Sequence, residues 1–153
     1  MSNEFIKDKY KDSITVLENE SILIDSQYWL EISGLIKNNN YDYLMSITAY
    51  DLESEDMLGL AYNFYSTTLK KYLEIRIEFK SNIEIFSITG FWKSADWHER
   101  ECYDLMGTLF KKHPDLKRIL LPDDWEGHPL RKDYKEPDFY NGMPVPKDKS
   151  YWE

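Results

Sequence analysis

The sequence predicts an α+β fold, with a helix packed on a mainly antiparallel sheet of about four strands, then a second helix and a long irregular arm. The clearest observation is Tyr72–Lys80, where Leu, Ile and Phe alternate with Glu and Arg, as in a strand with one buried face. A second observation is helical spacing of apolar residues after Ser26. Short connections between successive strand candidates favour antiparallel pairing.

The elements follow in order from the N-terminus. The first twenty residues are polar, which predicts a partly frayed end. Ser21–Asp25 is suited to a first strand, and Ser26 is expected to cap a helix that ends near Asn38. Further strands are predicted at Tyr43–Tyr50, Leu60–Ser66 and Tyr72–Lys80, and Ile83–Phe91 is expected to add an edge strand or to lead into the next helix.

The second helix is predicted to begin at a Ser94 cap and to end at Gly107. Glu99 falls among the apolar residues of this helix, so its carboxyl group must reach solvent, take up a proton or meet a cation. Trp97 falls among the charged residues, where solvent is a poor neighbour. Both exceptions predict that protein covers each side of the helix.

The chain after this helix is expected to be irregular. Asp115 is expected to cap a short helical turn through Leu121, and proline and glycine then recur from Pro122 to Pro146, which excludes long regular structure. Aromatic residues recur there too, unlike in a solvated disordered tail. We therefore predict an α+β domain at residues 1–110 and an extended interaction arm at residues 111–153.

Composition excludes several classes of protein. The formal net charge of −9 argues against a nucleic-acid-binding protein. A single cysteine excludes an internal disulfide and predicts a reducing compartment. We expect neither a targeting segment nor a membrane span, since no run approaches about 20 apolar residues. No glycine-rich phosphate-binding loop is present.

The charged residues allow two chemical alternatives. His98 and Cys102 lie four residues apart on the predicted helix and His113 and His128 follow, which together would supply four zinc ligands. The two later histidines precede prolines in separate turns, and no CxxC pair is present, so neither zinc nor an iron–sulfur cluster is predicted. A stand-alone acid–base enzyme around Glu99 and His113 is an alternative from another class. No catalytic, cofactor-binding or metal-binding residue is predicted.

The run Trp97–Tyr134, here called the signature segment, closely resembles the signature of the family of C subunits of NADH-quinone oxidoreductase (respiratory complex I). The matching pieces are ERE at Glu99–Glu101, Tyr103-Asp104, Gly107, Phe110, HPDLKRIL at His113–Leu120 and PLRKDY at Pro129–Tyr134. Lys117 stands where an arginine is common in the family, which keeps the charge but loses the bidentate fork.

The resemblance implies a non-catalytic structural and assembly subunit in the peripheral arm of an oxidoreductase. Such a complex passes electrons from NADH, or another donor, to quinone and couples this to ion translocation. The implied partners are the D, B and I subunits of such a complex. The assembled complex is implied to use iron–sulfur clusters, FMN, NAD and quinone, with no cofactor in this chain.

The implied location is peripheral, on the cytoplasmic side of a prokaryotic inner membrane or on the equivalent stromal or matrix side in an organelle. An alternative within the class is the equivalent subunit of a membrane-bound energy-converting hydrogenase or a related dehydrogenase. The resemblance also implies which residues shape the interface between subunits or the structure that carries it. They are Trp97, Glu99, Arg100, Glu101, Asp104, Gly107, His113, Pro114, Arg118, Asp123, Pro129, Arg131, Lys132 and Asp133.

Overall fold

The computed structural model describes residues 4–10, 13–52 and 56–145. Five strands form its main sheet: β1 (Ile14–Val16), β2 (Ile22–Ile24), β3 (Tyr43–Asp51), β4 (Met57–Ser66) and β5 (Lys71–Lys80). They lie in the order β1-β2-β5-β4-β3. This sheet contains one strand more than the sequence predicted, because β1 falls in the segment expected to be frayed.

The pairing explains why the sheet is only mainly antiparallel. β3 pairs with β4, and β4 with β5, as the predicted antiparallel meander requires. β2 instead lies parallel to β5, with Ile22 opposite Ile75, because a helix and two strands intervene before the chain returns to this position. β1 adds antiparallel to the outer edge of β2. The predicted fold class is confirmed.

Among the described residues, three α-helices accompany the sheet: α1 (Glu4–Tyr10), α2 (Trp29–Asn38) and α3 (Ala95–Met106). The prediction of a frayed N-terminus was wrong for the described part, because Ile6 and Tyr10 of α1 are buried in the core. Ser26 does not cap α2. The Asp25 carboxylate accepts the Gln27 N–H at 3.0 Å and starts a short 3-10 helix, which leads into α2.

The core lies between α2 and the apolar face of the sheet, and aromatic residues fill much of it. Trp29 of α2 lies 4.2 Å from Tyr62 between ring centres, and Phe64 lies 4.8 Å from Trp92. All four are buried, so part of the high aromatic content serves packing. The Trp92 indole N–H donates to the backbone oxygen of Tyr41 at 3.1 Å, which ties the segment before α3 to the start of β3.

α3 lies along the outer edge of β3. The Cys102 thiol donates to the Ile47 backbone oxygen at 3.7 Å, and the Ala49 backbone N–H faces the same sulfur. Of the two alternatives for Ile83–Phe91, an edge strand of the sheet does not form: only β6 (Ile85–Phe86) is extended, it pairs in parallel with β7 (Phe110–Lys111), and the segment leads towards α3. A hairpin of β8 (Phe139–Tyr140) and β9 (Met143–Pro144) follows. The domain boundary at residue 110 stays a prediction.

Candidate functional site

α3 is the element that positions most of the signature residues. Gly107 ends the helix with φ of +75°, as the sequence predicted. Ser94 makes no capping hydrogen bond with its side chain. The N–H groups of Ala95 and Asp96 are already bonded to the carbonyl oxygens of Trp92 and Lys93, so a tight backbone turn replaces the predicted cap.

Asp104 lies on α3 with its side chain completely buried. One carboxylate oxygen accepts the N–H groups of Ile119, Leu120 and Leu121 at 3.0, 2.7 and 2.9 Å, and the other accepts from the Arg118 guanidinium at 2.7 Å. Burial by itself raises the pKa of this carboxyl group. The backbone N–H groups and Arg118 outweigh burial and hold the pKa of Asp104 below its ordinary value.

Arg118 extends this network along the arm. Its guanidinium also donates to the backbone oxygens of Asp104, Trp125 and Gly127, at 3.1, 2.8 and 2.9 Å. The planar fork of arginine suits such divergent acceptors better than the point charge of lysine. We call Asp104, Arg118 and the backbone groups that they bind the Asp104 hub. The hub fastens residues 118–127 to α3.

The hub corrects one expectation from the sequence. The ion-pair partner of Asp104 is Arg118. The helical turn predicted from Asp115 to Leu121 does not form. The N–H groups at positions 119–121 point to the Asp104 carboxylate instead of closing a helix.

His128, which the sequence suggested only as a zinc ligand, lies beside the hub. Its ring donates from Nδ1 to the Asp104 backbone oxygen at 2.9 Å, and the ring packs against Gly107. A methyl group at Gly107 would lie 2.7 Å from His128 Cδ2, closer than such atoms pack. Gly107 is therefore required both by its left-handed backbone and by the approach of His128.

We expect Gly107→Ala to lower the free energy of unfolding by about 1–3 kcal/mol, because it combines backbone strain with a steric clash. Urea denaturation followed by circular dichroism measures the change. Gly90→Ala is the matched control, since nothing lies within 4 Å of an added Cβ at Gly90. Equal stability of the two variants would contradict the packing role of Gly107.

The surroundings of Glu99 show whether its carboxyl group reaches solvent, takes up a proton or meets a cation. The side chain is completely buried, and Oε1 accepts the Ile88 N–H at 2.8 Å. Oε2 lies 3.9 Å from Nε2 of His113, whose side chain is also buried. Burial raises the pKa of Glu99 to about 7, against the opposing effects of Ser87 and Ile88. The carboxyl group neither reaches solvent nor meets a permanent cation.

Trp97 has the opposite environment. It is 63% exposed, and the Arg100 guanidinium lies 5.5 Å from the centre of its ring. Arg100 in turn donates to the backbone oxygens of Lys117 and Arg118, each at 3.2 Å. Leu120 in the arm is also 60% exposed. The described residues leave the Trp97 side of α3 largely uncovered, so the prediction that protein covers both sides of the helix is not met by them and stays a prediction. We call Trp97 and Arg100 the Trp97 face.

The remaining signature residues lie at or near the surface. Arg131 bonds Asp133 at 3.1 Å, and the Lys132 N–H donates to the Asp51 carboxylate at 2.9 Å, which joins the arm to the end of β3. Asp51 was missed from the sequence. The residues that the structure leaves exposed or partly exposed away from the hub are Glu101, Pro114, Asp123, Pro129, Arg131, Lys132 and Asp133.

The four candidate zinc ligands lie in different places. His98 and Cys102 line a groove between β3 and α3, His113 faces Glu99, and His128 packs on the hub. Within residues 4–10, 13–52 and 56–145, no group of three or more His, Cys, Asp or Glu side chains is arranged to hold a metal ion. In the same ranges no helix has both the length and the apolar character needed to cross a bilayer.

The model of one protein family, the 30 kDa subunit of respiratory-chain NADH dehydrogenase, matches residues 22–140. The chain belongs to this family. Members similar to it include the C subunits of NADH-quinone oxidoreductase from Chloroherpeton thalassium, 36% identical over 158 residues, and from Chlorobium phaeobacteroides, 34% identical over 154 residues. The matches cover 95% and 94% of this chain, and 65% and 92% of the relatives.

Chloroplasts also contain relatives of this 30 kDa subunit family. The J subunit of the chloroplastic NAD(P)H-quinone oxidoreductase of Marchantia polymorpha is 42% identical over 126 residues, which is 79% of this chain and 75% of that protein. The resemblance inferred from the signature segment is thus confirmed.

Solved structures support the fold of the 30 kDa subunit family. A trypsin-resistant fragment of Nqo5 aligns with a TM-score of 0.64 and 20% identity, over 76% of this chain and all of the fragment. A chain of the archaeal membrane-bound sulfane sulfur reductase aligns with a TM-score of 0.73 and 18% identity, over 87% of this chain and 85% of its own length. At these identities the likeness concerns the fold alone.

Proposed function

We propose that this chain is a structural and assembly subunit in the peripheral arm of a complex I-type oxidoreductase. Membership of the 30 kDa subunit family is the observation that carries the proposal. The complex would pass electrons from NADH, or another donor, to quinone and couple the transfer to ion translocation. Its iron–sulfur clusters, FMN, NAD and quinone would reside in other subunits.

The geometry favours a structural role for the signature segment. Asp104 and both Nη groups of Arg118 are engaged by contacts within the described chain, so they organise the arm. Glu99 and the His113 ring are completely buried, which argues against a stand-alone acid–base enzyme at this pair. The Trp97 face is left open, and tryptophan and arginine are among the residues that most often dominate binding energy at interfaces.

The proposed partners are the D, B and I subunits, and the proposed location is peripheral, on the cytoplasmic, stromal or matrix side of a coupling membrane. Purification of the tagged chain from the membranes of its host tests the assignment. Co-purification of quinone-reducing complex I-type subunits is expected. Recovery of hydrogenase subunits would assign the chain to that related complex, and a monomer with its own activity would overturn the proposal.

We expect Trp97→Ala to reduce the amount of partner subunits that co-purify by about tenfold or more, because it removes an exposed aromatic anchor. The fold should be unaffected, since Trp97 packs little within the chain. Leu30→Ala is a matched control: Leu30 is also an exposed apolar residue on a helix, but it lies on α2 outside the signature segment. Equal recovery with both variants would contradict the role of the Trp97 face.

A further inference from the structure

A buried cluster behind α3, called the pocket below, brings together polar groups from three parts of the chain. Glu99 and Asp96 lie on α3, Ser87 and Ile88 lie just after β6, and His113 lies just after β7. The Glu99 side chain and the His113 ring are completely buried. The proposed assembly function uses none of these contacts directly.

The hydrogen bond to His113 Nδ1 defines which ring nitrogen carries the proton. Asp115 donates its backbone N–H to Nδ1 at 3.1 Å, so Nδ1 is an acceptor and carries no proton. The single ring N–H is therefore on Nε2. Protonating Nδ1 as well would turn this acceptor into a donor facing the Asp115 N–H.

Three oxygen atoms converge on that one N–H. The backbone oxygen and Oδ1 of Asp96 each lie 3.4 Å from Nε2, and Oε2 of Glu99 lies 3.9 Å away. Asp96 Oδ1 and Glu99 Oε2 are both buried without a hydrogen-bond partner. Among the described groups, the Ser87 hydroxyl adds one further proton beside Glu99, so two donors face three acceptors and the pocket is still short of protons. An ionised Glu99 would be a poorly compensated buried charge.

The other neighbours of Glu99 do not supply a positive charge. Tyr62 of β4 and Cys102 of α3 are buried close enough to interact electrostatically, and both are neutral at ordinary pH. Ser87 and the Ile88 N–H contribute dipoles only, and Asp96 adds negative charge. The Asp115 carboxylate is exposed and pairs with Lys117. Among the described residues, the ion-pair partner within reach of Glu99 is His113.

We propose that this pocket is a proton-binding site: Glu99 takes up one proton from solvent on Oε2, and the neutral carboxyl group lets α3 stay packed against the Ile88 segment and the turn at His113 without a buried charge. Releasing the proton to solvent leaves a charge that the pocket cannot compensate, which loosens the three segments. The strong rise in the pKa of Glu99, to about 7 through burial, agrees with this geometry and places the change near neutral pH.

Carbon-13 NMR of the full chain tests the proposal directly, by following the glutamate side-chain carboxyl signals from about pH 5 to about pH 9. We expect one signal to titrate near neutrality in the wild type and in Glu101→Gln, and to be absent in Glu99→Gln. Glu101 is an exposed residue of the same helix and serves as the control. The wild-type titration is informative even if Glu99→Gln fails to fold.

A second measurement tests whether the proton holds α3 against the Ile88 segment. The hydrogen-exchange protection of the Ile88 amide, corrected for intrinsic exchange, should fall about tenfold or more across the same titration in the wild type and stay constant in Glu99→Gln. Three results would each overturn the proposal. They are a Glu99 carboxyl that ionises near its ordinary pKa of 4.5, a His113 ring that nitrogen-15 NMR shows doubly protonated at neutral pH, and Ile88 protection that does not change.

Discussion

Replacing Asp104 by Asn is expected to lower the free energy of unfolding by about 3–5 kcal/mol, a larger loss than we expect from Gly107→Ala. The variant keeps the size of the side chain but loses the charge that compensates Arg118. An amide also has only one acceptor oxygen, so it cannot receive Arg118 and the three N–H groups at positions 119–121 together. Urea denaturation measures the loss.

An exposed ion pair in the same arm provides the control. Asp115 lies 2.6 Å from Lys117, but both side chains are more than half exposed and the pair is screened by solvent, so Asp115→Asn should change stability far less than Asp104→Asn. Hydrogen exchange adds a local readout, because the amides of residues 119–121 should lose protection in Asp104→Asn and keep it in Asp115→Asn. Similar losses in both variants would show that the Asp104 hub is not the fastening point of the arm.

The stability of the folded chain should fall as pH rises through neutrality. The pKa of Glu99 is raised by burial from 4.5 to about 7. Below the unfolded value the carboxyl group is protonated in both states, and its contribution to stability is fully present. Between the two values only the folded chain binds the proton, so the contribution shrinks as pH rises and is lost above about 7. The total change is about 3 kcal/mol.

Glu99→Gln should remove this dependence, because glutamine stays neutral throughout the range. The free energy of unfolding, measured by urea denaturation at several pH values between about 5 and about 8, checks the slope. A wild-type slope that persists in Glu99→Gln would assign the effect to another group.

Asp104 affects stability in the opposite direction at lower pH. Its pKa is lowered in the folded chain, so its contribution to stability is present above the pKa of the unfolded chain and is lost as pH falls.

The strands of the fold were readable from the sequence where one face of the sheet is buried. Leu73, Ile75, Ile77 and Phe79 alternate with charged residues and all four are buried, as predicted. The N-terminal elements were not recognised because α1 and β1 have seven and three residues, too few to show a period. The spacing of Ile6 and Tyr10, one helical turn apart, was the available signal for α1.

The site was predicted as a set of residues but not as a set of contacts. The sequence placed Glu99 on an apolar face, and the structure confirms that it is buried. It did not single out Arg118 as the partner of Asp104, because helical spacing predicts only partners on the same helix. The sequence predicted that protein covers Trp97, but the described residues leave most of the Trp97 surface exposed. In the proposed assembly, a partner subunit would cover it.

The position of α3 along β3 has a consequence for the chain before it finds partners. An edge strand has unpaired backbone N–H and C=O groups that can pair with a strand from another molecule and start aggregation. Here the Cys102 thiol occupies the Ile47 oxygen and faces the Ala49 N–H, so a helix of the same chain shields the middle of that edge strand. The strand at the opposite edge of the sheet is β1, which is only three residues long. The chain can therefore expose the Trp97 face, the docking surface proposed above, without also presenting a long sheet edge for uncontrolled pairing.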